Sequence, residues 1–560
     1  MNKELEIRPA FAKSAKRPMP VLAKSPNGKS SARSRIVIST SILCVALLGT
    51  WTAKAQSSSY ALGATALLLG SMAGTNSVVL SANPNDAIWN ASGDATWLHL
   101  SANNQNGVGS TNVVFGYDAN PGATRTATLT VAGLPIAITQ AGSNFTPVEN
   151  WFQLPTPGLR NPTALAVGND GGVYITDSNF GLSKWDATTG QLKTLLSSGV
   201  GRTSGLAVDS SQNVYISDSQ NNAIWKWTAA TGVLAHLVSS GLTGPAGLAI
   251  DASGDIFIAD EGAGDVKEWI ASSNTLITLA PHALFDPCCD LRAVAVDVGG
   301  NVYIADYCAD AIWKWTASAS VLNKLITGIN APFGVAVDGS GNVYFNNYAP
   351  GCAVMKLSAS DGSLAIVNTG TYIPYIMAVD TYGNLYIAEL DAVDLIWELQ
   401  NVMIDLTPKV ENGTNGTDSL TILPNSANLN NIFAPQTDEA WLTITGITNG
   451  VIKFSFPATT NAGRTAHISL FDETIAVTQV VLGPPFVLTQ LPLQGNGSFQ
   501  FAFGSSENLS FSVLSSTNLY LPLNAWPVAA TVSNIAPELY EFTTIIGSNE
   551  QDRFYRLRSP

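Results

Sequence analysis

Between residues 165 and 389 the chain repeats one pattern of apolar and polar positions six times. In each copy an apolar triplet of the Leu-Ala-Val type leads into a polar turn of the Asp-x-x-Gly-Asn type, and an alternating strand of the Val-Tyr-Ile-Ala type follows. Two short strands joined by such a turn predict a β-hairpin. The copies end at Asp177, Asp218, Asp260, Asp306, Asn347 and Glu389. Their spacings of 41, 42, 46, 41 and 42 residues indicate a propeller or a solenoid.

A third strand such as "IWKW" and a fourth apolar run such as "VLAHLV" follow most of the hairpins, so that four antiparallel strands make one blade. The sixth copy has no fourth strand, yet a spare strand, "NWFQLP", stands just before the first copy. We therefore expect Trp151 to Leu154 to supply the outer strand of the last blade and to close a six-bladed ring over residues 146–400.

These six phrases resemble the NHL-repeat family of six-bladed propellers, over about 250 residues. The resemblance implies a closed ring of six four-stranded sheets.

Two segments that flank the repeats resemble each other. Both begin with Trp-Leu, carry an Arg-Thr-Ala turn and end with Thr-Gln, from Trp97 to Gln140 and from Trp441 to Gln479. They resemble the BACON module, an immunoglobulin-like sandwich of exported bacterial proteins, with residues 56–143 as the first copy and 401–482 as a degenerate second copy. The resemblance implies either glycan binding or a spacer role. Trp97 and Trp441 are expected to pack as sandwich anchors rather than to stack on sugars.

The two ends of the chain are also distinctive. Residues 1–55 are basic, contain an apolar stretch of signal-peptide length and close on Ala-Lys-Ala, which predicts an export signal that is cut before Gln56; an uncleaved anchor is the alternative. Alternating strands at 486–560 predict a small C-terminal β module. Its terminal Arg553, Arg556 and Arg558 are expected on an edge strand, with a sorting signal as the alternative.

The fold class follows from these segments and from a composition rich in apolar residues, 46%, and poor in charge, 12%. We predict an all-β protein: a six-bladed β-propeller with N- and C-terminal immunoglobulin-like β-sandwich modules and a small C-terminal β domain. Beyond residue 55 the chain has 17 basic and 39 acidic side chains, a net charge of −22. That field argues against nucleic-acid partners and against anionic membrane surfaces.

Signals for catalysis are sparse. Only His236 and His282 fall in the repeats, and no His-x-x-x-His or Gly-x-Ser-x-Gly element occurs. The propeller resembles streptogramin-type and peptide-amidating lyases in fold, but those families use histidines near the channel or on one face, and the two histidines here fall on or after outer strands.

The residues that end the second strands, Asp177, Asp218, Asp260, Asp306, Asn347 and Glu389, could converge as a ligand face or hold Ca²⁺ as in lactonase-like propellers. The competing interpretation gives them a structural duty in each blade, because carboxylates at strand ends accept hydrogen bonds from loop amides. Asp209, Asp251, Asp297, Asp338 and Asp380 belong to the hairpin turns and are predicted turn formers.

Four cysteines fall between blades three and five: Cys288, Cys289, Cys308 and Cys352. An even number in an exported chain favours disulfides. We predict two bridges that join neighbouring blades, one from the vicinal pair to Cys308 and the other to Cys352, over a thiolate metal site.

The favoured function is that of a secreted, non-catalytic recognition or adhesion protein, extracellular or at the cell surface, whose propeller face binds a glycan or a protein. A hydrolase or lyase that uses a divalent cation in the channel is the alternative, and a structural spacer is the third. No cofactor is predicted beyond Ca²⁺ in the enzymatic alternative.

Overall fold

The computed structural model of the protein describes residues 58–179, 181–348, 352–369, 374–389, 395–459, 462–480, 489–490, 498–504, 511–517, 526–536, 539–545 and 554–558. The predicted export signal lies outside these residues. Within them, no helix is long and apolar enough to cross a bilayer.

The first module is a sandwich of two sheets. Its elements are β1 (Ser59–Leu62), β2 (Ala66–Leu69), β3 (Gly74–Asn83), β4 (Ile88–Gly93), β5 (Leu98–His99), α1 (Ala102–Gln105), β6 (Asn106–Val108), β7 (Thr111–Tyr117), β8 (Arg125–Val131) and β9 (Leu134–Gln140). The sheets have the orders β1-β3-β7-β5 and β2-β9-β8-β4-β6. Alternate residues of both, such as Val78, Phe115 and Ile138, meet in a fully buried core, because successive strand side chains point to opposite faces.

Two short strands precede the repeats, and the repeats then build six four-stranded sheets. The strands are β10 (Phe145–Pro147), β11 (Phe152–Gln153), β12 (Pro162–Val167), β13 (Val173–Asp177), β14 (Leu182–Asp186), β15 (Gln191–Leu196), β16 (Thr203–Val208), β17 (Val214–Asp218), β18 (Ala223–Thr228), β19 (Val233–Val238), β20 (Pro245–Ile250), β21 (Ile256–Asp260), β22 (Asp265–Ile270), β23 (Thr275–Ala280), β24 (Leu291–Val296), β25 (Val302–Asp306), β26 (Ala311–Thr316), β27 (Val321–Thr327), β28 (Val335–Val337), β29 (Val343–Asn347), β30 (Ala353–Leu357), β31 (Leu364–Thr369), β32 (Pro374–Val379), β33 (Leu385–Glu389) and β34 (Ile396–Leu399). A 3-10 turn, His282–Leu284, precedes β24.

The six sheets form a closed ring. Five use their strands in sequence order, from β12-β13-β14-β15 to β28-β29-β30-β31, and the sixth has the order β11-β34-β33-β32. Each inner strand contacts the next, and β32 contacts β12. The inner strands approach so closely that a Cβ at Gly247 would lie 2.5 Å from the Cα of Ala293. The all-β propeller fold class is confirmed.

The ring closes through the segment that the sequence analysis assigned to it. In β11, Phe152 pairs with Glu398 and Gln153 with Trp397, while the Leu154 N–H donates to Ile396 O at 2.9 Å. The same segment is tied on its other side, because β10 pairs with a strand that follows the propeller, β35 (Met403–Asp405). Residues 145–153 thus join both ends of the ring.

That following strand begins the second sandwich, which continues with β36 (Lys409–Asn412), β37 (Gly416–Leu423), β38 (Gln436–Thr437), β39 (Thr443–Thr448), β40 (Val451–Phe456), β41 (Arg464–Leu470) and β42 (Glu473–Val480). A 3-10 turn, Asn431–Phe433, lies before β38. The sheet orders are β10-β35-β37-β40-β39 and β36-β42-β41-β38. One edge strand of this module therefore comes from residues before the propeller, where the sequence pattern placed no sandwich strand.

The two sandwiches share one internal arrangement of three side chains. The Arg125 guanidinium lies 4.4 Å from the ring centroid of Trp97 and donates to Gln140 Oε1 at 2.8 Å. Arg464 takes the same place, 4.3 Å from Trp441 and 2.9 Å from Gln479 Oε1. Both tryptophans are half-buried against their sandwich cores. The likeness seen in the sequence therefore extends to the contacts.

The turn aspartates organise one side of the ring. Asp297, for example, accepts hydrogen bonds from the amide of Asn301 at 3.0 Å and from the hydroxyl of Tyr303 at 3.0 Å, and Asn301 in turn accepts the Ala317 amide. The same network recurs around Asp209, Asp338 and Asp380. These residues act as turn formers, as predicted, and they tie each first hairpin to the turn between the third and fourth strands.

Both sandwiches dock on this side, which we call the turn side. The Val79 amide donates to Gly339 O at 3.1 Å, and Ser77 Oγ donates to Ser340 O at 2.7 Å. The second sandwich contacts blade one, where Asn431 Nδ2 donates to Ala187 O at 3.0 Å. The opposite side carries the loops that enter each blade and those that follow each second strand, and we call it the loop side.

The described part of the C-terminal module is a six-stranded sheet with an aromatic core. Its strands are β43 (Thr489–Gln490), β44 (Ser498–Gly504), β45 (Phe511–Ser516), β46 (Val528–Ala536), β47 (Leu539–Ile545) and β48 (Phe554–Arg558), in the order β43-β44-β47-β46-β45-β48. The edge strand β48 carries Arg556, which is exposed, as expected. Arg553 lies outside the described residues.

The closing blade contains a buried carboxyl that makes stability depend on pH. Glu398, which pairs with Phe152 through the backbone, is 1% exposed and accepts the Tyr386 hydroxyl at 3.1 Å. Burial, with the negative charge of Asp380, raises its pKa from 4.5 to about 8. The folded state therefore holds this proton more tightly than the unfolded chain, so stability falls as pH rises from about 4.5 to about 8 and then levels off.

We predict that Glu398→Gln, which keeps a neutral side chain of similar shape, flattens this loss of stability between pH 5 and pH 8. Denaturant unfolding of the protein and the variant across that range measures it, with a maximum expected slope of about 1.4 kcal/mol per pH unit from this one group. The exposed Glu439→Gln serves as the control. Parallel pH profiles for the wild type and Glu398→Gln would contradict the assignment.

Candidate functional site

Five of the six residues that end the second strands make hydrogen bonds within their own blades. Asp218, Asp260 and Asp306 are fully buried. Asp218 accepts hydrogen bonds from the Gly201 amide and the Trp225 indole, and Asp306 accepts them from the Asp290 amide and the Trp313 indole.

Three of the other four members make similar contacts, and Glu389 is buried. Asp260 pairs with Lys267 at 2.5 Å, Asp177 accepts the Asn179 amide, and Asn347 accepts the Asn330 amide. Glu389 is 6% exposed. None of the six lines the central cavity described below. These contacts agree with the structural role that the sequence analysis weighed against a ligand face. Loop amides beside the strand ends donate to Asp177, Asp218, Asp260, Asp306 and Asn347.

The cysteines form one bridge within a single blade. Cys288, in the loop that enters blade four, is linked to Cys308, in the loop after the second strand of the same blade, with 5.8 Å between their Cα atoms. Cys289 and Cys352 are free. Two expectations are therefore corrected. Cys352 forms no second bridge with the vicinal pair, and the bridge that is present lies within one blade and does not link neighbouring blades. The Cys289 side chain lies 2.8 Å from Nδ1 of His282, and Cys352 Sγ donates to Tyr348 O at 3.5 Å.

A central cavity of about 880 Å³ runs between the inner strands and reaches the loop side, where Arg202, Gln220 and Glu261 line it. One aligned position of each inner strand, two residues before the Leu-Ala-Val triplet, lines it in every blade. We call these the mouth positions: Thr163, Ser204, Ala246, Arg292, Phe333 and Tyr375. Blades one to three supply small side chains there, and blades four to six supply large ones. The mouth is therefore open on one half and walled on the other.

The wall is held together by charge and by stacked rings. Arg292 pairs with Asp290 at 2.6 Å and with Glu261 at 3.1 Å, so that two carboxylates surround its guanidinium. Phe333 lies 3.9 Å from Tyr375 and 4.6 Å from Tyr307, measured between ring centroids. The Arg292 guanidinium also lies 5.5 Å from the Phe333 ring, within cation–π range.

Electrostatics at the mouth reflect partial burial. Desolvation raises the pKa of Glu261, against the positive charges of Arg292 and Arg202. Burial likewise raises the pKa of Tyr375, and the same two arginines oppose that rise. Arg202 therefore shares the electrostatic environment of the wall, although it stands on the open half.

The mouth residues were not predicted from the sequence, because the prediction rested on the positions that the repeats share. A signal was present. At the mouth positions the copies change from Thr, Ser and Ala to Arg, Phe and Tyr, while the adjoining triplets stay apolar. A position that varies inside a regular strand indicates a role other than blade packing.

Comparisons with known proteins match parts of the chain. Residues 87–141 match the family model described as "BACON: Putative binding domain, N-terminal". The first sandwich thus carries a BACON match. No curated protein matches the chain.

Several solved structures are similar to part of this chain. A streptogramin B lyase is 14% identical and covers 59% of this chain and 96% of its own, with a TM-score of 0.36. A Bacteroides thetaiotaomicron protein of unknown function is 14% identical over 62% of this chain and 98% of its own, with a TM-score of 0.41. A chain of a nidogen/laminin complex is 19% identical over 40% of this chain and 85% of its own, with a TM-score of 0.34.

The cysteine pattern predicts a definite thiol count. Alkylation of the unreduced, denatured protein followed by peptide mapping is expected to recover Cys288 linked to Cys308, with Cys289 and Cys352 alkylated. A Cys289–Cys352 bridge, or four free thiols beyond residue 55, would contradict the pairing.

Cys308→Ser removes the bridge between two residues that are 20 positions apart in the sequence. This change is expected to lower the free energy of unfolding by about 3 kcal/mol, because the unfolded chain is no longer restricted by the closed loop.

Proposed function

We propose that the protein is an exported recognition protein that binds an extracellular glycan or protein through the loop side of its propeller. The observation that carries the proposal is the divided mouth, in which an aromatic and charged wall faces an open half above a deep cavity. Binding sites combine apolar walls with a few placed polar groups in this way. Export, the NHL-type character of the repeats and the BACON-like nature of the second sandwich belong to the same proposal.

The position of the sandwiches supports this choice of side. Both dock on the turn side through backbone and side-chain hydrogen bonds, which leaves the loop side free of them in the part of the chain described. We infer that the sandwiches reinforce or space the ring while the loop side meets the ligand. Aromatic and arginine side chains, which dominate binding energies, are concentrated there.

Replacement of both rings by Phe333→Ala and Tyr375→Ala is expected to weaken ligand binding roughly 10- to 100-fold, because aromatic anchors contribute the most at such sites. The measurement is a glycan array, followed by titration of the best ligand against the protein and the double variant. Tyr348→Ala removes an exposed ring on the loop side that is not part of the cavity lining and is the matched control. Equal loss in both variants would count against the mouth as the site.

A hydrolase or lyase is the competing proposal, and Glu261 is the observation that favours it. This carboxyl lines the cavity, and its pKa is raised by desolvation, which suits a general acid. The enzymatic proposal includes Ca²⁺ or another divalent cation in the channel.

Calorimetric titration with CaCl₂ distinguishes the two proposals. A recognition protein is expected to bind its glycan equally well with and without Ca²⁺, and to leave the ligand intact after prolonged incubation. Stoichiometric Ca²⁺ binding that Glu261→Gln abolishes, together with ligand turnover, would favour the enzyme. Glu439→Gln is the charge-matched control, since Glu439 is exposed and lies in the second sandwich.

A further inference from the structure

We propose that the mouth selects a pyranose residue that carries a single carboxylate, and that Arg202 is the residue that makes this selection. The inference rests on the proposed function and deepens it, because it names the class of glycan that the same site takes. It depends on the different states of the two arginines at the mouth.

Arg292 and Arg202 differ in how their charge is used. The Arg292 guanidinium contacts two carboxylates, Asp290 and Glu261, and so its charge is offset within the wall. Arg202 also lines the cavity and its charge reaches Glu261 and Tyr375, but it is exposed, and no hydrogen bond or contact ion pair joins its side chain to any residue that the structure describes. Arg202 is therefore the guanidinium at the mouth that remains available to a ligand.

The backbone beneath Arg202 is held rigidly. The amide and hydroxyl of Ser219 both donate to Arg202 O, at 2.9 and 3.0 Å. The next residue, Thr203, is 2% exposed, and its hydroxyl lies 2.7 Å from that of Thr163. A guanidinium on a fixed support loses less freedom on binding, and its planar fork matches a carboxylate in two parallel hydrogen bonds.

The surroundings of Arg202 point to a sugar rather than to a small anion alone. Neutral polar side chains, Ser178, Ser219 and Gln220, line the cavity on the open half, while Phe333 and Tyr375 stand on the walled half. One side of the mouth thus offers hydrogen-bonding groups and the other offers aromatic rings. A pyranose ring, with hydroxyl groups and an apolar face of C–H groups, complements both.

The net charge of the protein restricts the number of charges on the ligand. Beyond residue 55 the chain carries a net charge of −22, which repels polyanions at long range. A single carboxylate close to Arg202 gains a charge-assisted pair while it meets little of that field. We therefore expect one acidic sugar residue at the mouth, either as a free glycoside or at the end of a glycan chain.

Methyl β-D-glucuronide and methyl β-D-glucoside provide the test, since they differ only at C6, which is a carboxylate in the first and a hydroxymethyl group in the second. Calorimetric titration of the full chain is expected to show roughly tenfold tighter binding of the glucuronide, and Arg202→Gln is expected to lower the glucuronide affinity to that of the glucoside. A trisaccharide that ends in glucuronate is titrated beside methyl β-D-glucuronide, with the neutral trisaccharide as its control. Tighter binding of the acidic trisaccharide indicates the end of a glycan chain, and tighter binding of the methyl glucuronide indicates a free glycoside.

Arg160→Gln is the matched control. The Arg160 backbone O accepts the Ser178 amide and hydroxyl just as Arg202 accepts those of Ser219, and Arg160 is equally exposed on the loop side, yet it does not line the cavity. The same charge is removed in both variants, so only the position differs. The preference for glucuronide is expected to persist in Arg160→Gln and to decrease as salt is raised in the wild type.

Each other outcome is decisive. Equal affinity of the wild type for both glycosides, or a preference that Arg202→Gln retains, would overturn the role of Arg202 while glycan recognition stands. A preference lost equally in Arg160→Gln would reduce the effect to general surface charge and also overturn it. If neither the glucuronide nor the glucoside binds, as methyl glycoside or as trisaccharide, the inference is overturned. The Phe333 and Tyr375 variants would then decide whether the mouth binds a protein instead.

Discussion

The pairing of Phe152 and Gln153 with β34 is the constraint on which the rest of the structure depends. An open row of six sheets would leave its first and last blades without a neighbour on one side, and the last blade would end in an unpaired strand. Because the closing strand comes from before the first repeat, the two ends of the repeat region must meet. The contact of β12 with β32 and the buried Glu398 both lie at this junction. Closure also encloses the cavity, since six inner strands surround it only when the ring is complete.

Closure has a second consequence for the chain that leaves the ring. Residues 145–147 run beside residues 403–405, and together they start one sheet of the second sandwich. Phe152 then packs its ring 5.3 Å from Phe433, so one aromatic side chain is shared between the last blade and that sandwich. The second sandwich is therefore fixed to the closing blade by the same segment that closes it. One strand of that sandwich therefore lies outside residues 401–482, the range that the sequence pattern assigned to it.

The sequence predicted those features that every blade must repeat. Hairpin turns and strand order follow from side chains that recur from blade to blade, such as the Asp, Asn and Tyr of the turn network, which is present in four of the six blades. The closing strand was predicted for another reason, because the sixth copy lacks a fourth strand of its own. Features that occur once were harder to predict. The pairing of Cys288 with Cys308 depends on which of two adjacent side chains faces the neighbouring loop, and the backbone path of the loop decides that, not the spacing of the cysteines. The arrangement of the mouth depends in the same way on which blades lie opposite each other.

The strand-end carboxylates show why a repeated residue is a poor guide to a binding site. A side chain that recurs in each blade is under the same local demand in each blade, and for Asp218 and Asp306 that demand is to accept loop amides and an indole N–H. Once those hydrogen bonds are made, the carboxylate is buried and saturated. Of the mouth positions, Ala246 is buried in a core cluster, and at the other five the triplet two residues further along each inner strand supplies the packing. Ser204, Arg292 and Tyr375 can therefore differ without loss of the blade, and a ring with near-sixfold construction acquires a mouth with two unlike halves. An asymmetric ligand can be oriented only by such a break in the repeat.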